Sequence, residues 1–203
     1  MKSLLLLIII FSVSFSCDPN TDSLNAKSNL AIQSKELKND NLVDTNDKFK
    51  FISNFNDYQS LNDLINIESF KGNILYITIW TIFCDDCIQE FKYYRDLTKR
   101  YENESVIFIY LIDMMAMPGI IGKRDSIISE YQLVGYHMQM SSKFYNQITK
   151  IKNINFYKKP HFILLDRNGI IVDANADKPS SKNIIINSID SLLNKFNEQN
   201  TIY

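Results

Sequence analysis

Residues Ile74 to Trp80 read Ile-Leu-Tyr-Ile-Thr-Ile-Trp, seven positions with no charge and apolar bulk on both alternating faces. A strand with one wet face alternates apolar and polar side chains, so this one belongs inside a sheet covered on both sides. Covering both faces requires helices, which makes the layout α/β. Val106 to Ile112 has the same character and reads as a second buried strand. At 45% hydrophobic residues, with 13 Phe and 11 Tyr, the 203-residue chain has the material for one such core plus extra segments.

Other elements follow from periodicity. Phe49 and Phe51 alternate like a short strand, and Tyr58, Leu61, Leu64 and Ile65 fall at helical spacing behind Asn56 or Asp57 as a cap. Asp85 to Tyr101 reads as one helix, Lys123–Leu133 and Ser142–Lys150 as two more, with a short edge strand near Tyr136–Met140. Phe162–Leu165 and Ile170–Val172 are strands joined by Asp166-Arg167-Asn168-Gly169, a hairpin turn in which Gly supplies positive φ. Ile185, Ile189, Leu192, Leu193 and Phe196 share one face of a closing helix. The expected product is a mixed central sheet flanked by helices.

The amino end has a different character. Lys2 precedes an apolar run from Leu4 to Phe11 that trails off to Ser16-Cys17, the pattern of an export signal. It is shorter than the roughly 20 residues a spanning helix needs. Ser14-Phe15-Ser16-Cys17 resembles a bacterial lipobox, with Ser14 where Leu is usual, and that resemblance implies a lipid on Cys17. A plain signal peptide with an incidental Cys reads the same way. From Asp18 to about Asp47 the chain is polar with isolated Leu and Ile, too poor in apolar surface to fold, and reads as a tether with a weak helix near Leu30–Leu37. The expected division is a signal peptide over 1–16, a tether over 17–47 and a folded domain over 48–198, working outside the cytoplasm. The 22 basic and 23 acidic residues supply no basic footprint for nucleic acid. Three cysteines are too few for a disulfide framework.

Chemistry concentrates in Cys84-Asp85-Asp86-Cys87, where the buried strand ends and a helix begins. Cys84 falls at or beside the N-cap, where orphan N–H groups and the helix dipole stabilise a thiolate. Two intervening residues bring the second sulfur within bonding distance across the first turn. One sulfur can then attack a disulfide while the other resolves the mixed species. Half a zinc site or a structural disulfide has the same spacing. No second such pair exists, and His137 and His161 lack paired-ligand spacing.

The block Ile79-Trp80-Thr81-Ile82-Phe83-Cys84-Asp85-Asp86-Cys87-Ile88-Gln89-Glu90 resembles the thioredoxin fold. Within that fold it resembles the TlpA/ResA-like membrane-anchored thiol-disulfide oxidoreductases, with Phe83 in place of a second Trp. Lys159-Pro160-His161-Phe162-Ile163-Leu164-Leu165 matches that family's cis-proline segment. Val172 to Pro179 resembles the tail of a branch common in Bacteroidetes-type bacteria. The resemblance implies a lipid-anchored enzyme of the cell envelope facing the periplasm, on either membrane. It would reduce disulfides of envelope proteins, draw on a membrane electron donor, and need no cofactor or metal. It also implies that Cys84 attacks and Cys87 resolves, and that the Lys159–Pro160 bond is cis and abuts the Cys84 sulfur. Trp80, Lys159 and Pro160 make up the expected substrate-binding set, with Trp80 beneath the dithiol.

On a helical wheel Glu90 falls inside the apolar arc of Cys87, Phe91, Tyr94, Leu97 and Tyr101, one turn beyond Cys87. Buried there it would be desolvated, its pKa raised, and suited to proton exchange with a thiol; at the arc's edge it would reach water. His137 and His161 read as surface residues of a loop and a strand. Met114, Met115 and Met117 read as packing, or as the lining of an apolar groove. Asp85 and Asp86 oppose a Cys84 thiolate and so favour a reductant, while Lys159 pulls the other way. Two further readings of the cysteines are a copper-binding module that adds a His and a thiol peroxidase.

Overall fold

The computed structural model describes residues 42–46, 48–113, 119–152, 154 and 158–200, all within one compact unit spanning 40–203. The export signal, Cys17, the helix near Leu30–Leu37 and the Met114–Met117 cluster lie outside the described residues. Seven strands form one sheet: β1 (Leu42–Asn46), β2 (Phe49–Ile52), β3 (Ile74–Trp80), β4 (Val106–Ile112), β5 (Gly135–Gln139), β6 (His161–Leu165) and β7 (Ile171–Asp173). Their order is β1-β2-β5-β4-β3-β6-β7. β3 pairs parallel with β4 and antiparallel with β6, so it is central and the sheet is mixed.

The two faces of β3 supply two cores. Ile74, Tyr76 and Trp80 face α2 (Asp85–Phe91), α3 (Tyr94–Arg100), α4 (Ile120–Glu130) and α6 (Asn183–Asn200). Leu75, Ile77 and Ile79 face α1 (Leu61–Ile65) and α5 (Ser142–Ile148). All seven residues of β3 are buried, as an apolar run on both faces requires.

Several elements differ from the sequence reading. The cap of α1 is Ser60, not Asn56 or Asp57, which a 3₁₀ turn over Phe55–Asp57 has already used. The Ser60 hydroxyl accepts the Asp63 N–H and donates to the Asp63 carboxylate, so cap and first turn secure each other. The helix expected over Asp85–Tyr101 is two helices without a proline between them. At the joint the Tyr93 N–H donates to Glu90 O, three residues back, and the ladder slips. The strand expected at an edge near Tyr136–Met140 is interior, because β2 joins its outer side in parallel. β2 is in turn covered by β1, a strand in the stretch read as tether.

Candidate active site

Register brings the candidate residues to one end of the sheet. Trp80 ends β3 opposite Ile112 of β4, and the Asp113 N–H donates to Trp80 O at 2.8 Å. His161 of β6 stands opposite Ile79, which places Pro160 at the level of Trp80. Cys84 lies four residues past Trp80 as the N-cap of α2. Crevices at the carboxyl ends of parallel strands are the common location for sites in such sheets.

Cys84 and Cys87 form a disulfide with S–S 2.06 Å and Cα–Cα 5.2 Å. The Cys87 N–H donates to Cys84 Sγ at 3.0 Å, so an orphan donor of the first turn is aimed at that sulfur. Cys84 is half-buried and Cys87 fully buried. An incoming disulfide can thus meet Cys84, while Cys87 attacks only from within. Phe83, beside Cys84, is 64% exposed, and the Lys123 ammonium stands 5.2 Å from its ring centre. In the sequence Phe83 stands out only as a replacement for Trp; the structure leaves its ring exposed beside the dithiol.

The Lys159–Pro160 peptide is cis. Lys159 does not present a free charge, because its ammonium pairs with the Asp113 carboxylate. Nothing in the local spacing of Asp113 marks it in the sequence as a partner of Lys159. Trp80, expected among the substrate-binding residues, is instead wholly enclosed and packs edge-on against Phe91 with centroids 4.9 Å apart. It touches the site only by packing, in the core that also holds Cys87.

Glu90 is buried, on α2 one turn beyond Cys87. The Ser180 N–H donates to Oε2 at 3.0 Å and the Ser180 hydroxyl to Oε1 at 2.9 Å. Lys178 Nζ lies 3.1 Å from Oε1. None of these donors comes from its own helix. Of the two places the helical wheel allows, Glu90 takes the buried one; Ser180 and Lys178, 90 and 88 residues on, leave no local signal in the sequence.

Both histidines are buried, contrary to the surface reading. His137 Nε2 bonds Leu133 O at 2.9 Å, its ring stacks on Tyr110 at 4.7 Å, and burial lowers its pKa to about 3. His161 Nε2 bonds Ala174 O at 2.7 Å, and burial lowers its pKa too. A lone histidine reads as exposed by residue type; in the fold β2 pairs along β5 beside His137, and Ala174, just after β7, bonds His161. Among the described residues no three His, Cys, Asp or Glu side chains are grouped to hold a metal ion.

The chain matches no family model and no curated protein. Among solved structures, the thioredoxin domain of a thiol-disulfide oxidoreductase from Bacteroides vulgatus is 16% identical, with TM-score 0.50, over 63% of this chain and 84% of that one. A thiol:disulfide interchange protein from a Bacteroides species is also 16% identical at TM-score 0.50, over 63% and 78%. A candidate thiol-disulfide oxidoreductase from Bacteroides vulgatus is 28% identical over 66% and 78%, at TM-score 0.47. The first two share this architecture, and the fold is thioredoxin-like: a mixed central sheet flanked by helices.

Proposed function

We propose that this chain is an extracytoplasmic thiol-disulfide oxidoreductase that reduces disulfides of envelope proteins. The observation that carries the reading is the Cys84–Cys87 pair at the start of α2, one sulfur half-buried and the other enclosed, at the end of the sheet where the cis Lys159–Pro160 peptide leads into β6. In the reduced enzyme the Cys84 thiolate attacks a client disulfide, forming a mixed disulfide and releasing one client thiolate. Cys87 loses its proton and attacks Cys84 Sγ. The Cys84–Cys87 bond forms, the second client thiol leaves, and two electrons have passed to the client. A membrane donor of the dithiol-reducing type restores the enzyme by the same exchange in reverse.

Glu90 is the group that receives the Cys87 proton, supported by its burial one helical turn away. Pro160 and the adjoining Lys159 backbone shape the groove for an extended client segment, supported by their level with Trp80 in the strand register. Cys17 carries a lipid that holds the domain to the membrane, supported by the signal-like amino end. No helix among the described residues is long and apolar enough to cross a membrane. A copper site would need a third ligand beside the cysteines, and among the described residues no such group of three His, Cys, Asp or Glu side chains is found.

Insulin reduction, with dithiothreitol as the electron source, tests the reading. Wild type should accelerate it, Cys84→Ser should not, and Cys87→Ser should accumulate mixed disulfides with envelope proteins in cells. In the reduced protein Cys84 should be alkylated first. Alkylation of Cys87 ahead of Cys84 would reverse the roles, and insulin reduction no faster than with dithiothreitol alone would refute the activity.

A further inference from the structure

The segment between β7 and α6 is held to the rest of the domain by four contacts spread along it. Ala174 O accepts from His161 Nε2 at 2.7 Å, the Ala176 N–H donates to Phe162 O at 3.0 Å, and Asp177 O accepts the Tyr76 hydroxyl at 2.7 Å. The fourth is the set of three donors that Lys178 and Ser180 direct at Glu90, 90 residues away in the chain for Ser180. Pro179, between them, is buried, and a 3₁₀ turn over Pro179–Ser181 fixes the direction of the Ser180 N–H. The first three contacts attach the segment to the sheet. The fourth attaches it to the helix that carries Cys87, at the single buried carboxylate of that helix.

We infer that Lys178 and Ser180 are positioning residues of the redox site: they hold both oxygens of Glu90 and oppose its charge beside the Cys84–Cys87 pair. This rests on the proposed oxidoreductase activity. The geometry leaves the carboxylate little choice of orientation, since Oε1 accepts from the Ser180 hydroxyl and Lys178, and Oε2 from the Ser180 N–H. Residues three apart on a helix have neighbouring side chains, so Glu90 and Cys87 share a face. An unopposed carboxylate there would disfavour a thiolate. The other groups that face Glu90 are Tyr76 from β3 and Tyr94 from α3. Burial raises both phenols well above their ordinary value, so they stay uncharged. Asp177 adjoins Lys178 on the turn itself. Lys178 is therefore the cation that balances Glu90, although its side chain is 59% exposed.

The test is the pH profile of Cys84 alkylation by iodoacetamide in the reduced full-length protein, in a double-mutant cycle. Ser180→Ala changes no formal charge and leaves the N–H in place. It should move the midpoint to higher pH by about half a unit, or about threefold slower alkylation at neutral pH. Lys178→Met should do the same or more, whereas Lys178→Arg and Ser180→Thr should restore the wild-type profile. In a Glu90→Gln background Ser180→Ala should have no effect, because the group through which it acts is gone. Midpoints unmoved by Ser180→Ala and Lys178→Met would overturn the inference, as would a Ser180→Ala shift of equal size without Glu90. The alkylation profile needs no client and no turnover, so it can fail while insulin reduction succeeds, and the reverse.

Discussion

A His137→Phe variant should lose much of the protein's sensitivity to mild acid. His137 is 1% exposed, on β5, with its ring stacked on Tyr110 and against Phe51 and Phe49. Its Nε2 is bonded to Leu133 O, so a second proton must enter at Nδ1, which finds no partner among the described residues. Arg124, whose guanidinium lies 4.8 Å from the Phe51 ring centre, opposes that charge as well. Burial thus lowers the imidazole from 6.5 to about 3 in the folded protein, while in the unfolded chain it titrates near its ordinary value. Between these values the unfolded state binds the additional proton, so stability falls as pH falls, starting near 6.5 and ending near 3. The slope approaches about 1.4 kcal/mol per pH unit, which gives a loss of about 2 kcal/mol from pH 7 to pH 5. Phenylalanine keeps the stacked ring and removes the titration, while orphaning Leu133 O costs about 1–2 kcal/mol at pH 7. The variant should begin less stable and draw level with wild type near pH 5. Urea unfolding followed by the fluorescence of Trp80, the only tryptophan, at pH 7, 6 and 5 measures this. His161, whose pKa burial also lowers, contributes a slope of the same sign to both proteins. Parallel pH dependence of wild type and His137→Phe would refute the assignment to His137.

Because Asp113 offsets the Lys159 charge, Asp113→Asn should make the couple more oxidising and Lys159→Thr more reducing, each by about 10–30 mV in a glutathione equilibrium. Unchanged potentials in both variants would show that the pair does not act on Cys84. Asp85→Asn/Asp86→Asn should also be more oxidising by about 10–30 mV, since two exposed negative charges in the first turn disfavour the thiolate. A wild-type potential as oxidising as that of a disulfide-introducing enzyme would rule out a reductant. Phe83→Ala should slow insulin reduction and leave stability within about 0.5 kcal/mol, the usual range for an exposed position; unchanged insulin kinetics would show that Phe83 does not contact the client. Ser141→Ala removes the α5 cap to the Phe144 N–H and the bond to Tyr58 O, and should cost about 1–2 kcal/mol in urea unfolding without changing alkylation of Cys84.

What the chain determines by itself is whatever depends on a few consecutive residues. β3 and β4 are legible because a run that is apolar on both faces has only one place in a layered α/β domain. The Cys84–Cys87 pair at a strand-to-helix joint is legible because its spacing is a property of one helical turn, and the burial of Glu90 follows from the same wheel. The exact cap of α1, the slip between α2 and α3 and the interior place of β5 are not legible in this way. Competing local caps differ by only about 1 kcal/mol, and which strands border β5 depends on pairing far along the chain. The same limit applies to the site's charges. Lys159 meets Asp113 across 46 residues and Glu90 meets Ser180 across 90. These partners are chosen by the register of β3 against β4 and β6 and by the path of the segment after β7, which bring to one end of the sheet groups that share no local pattern.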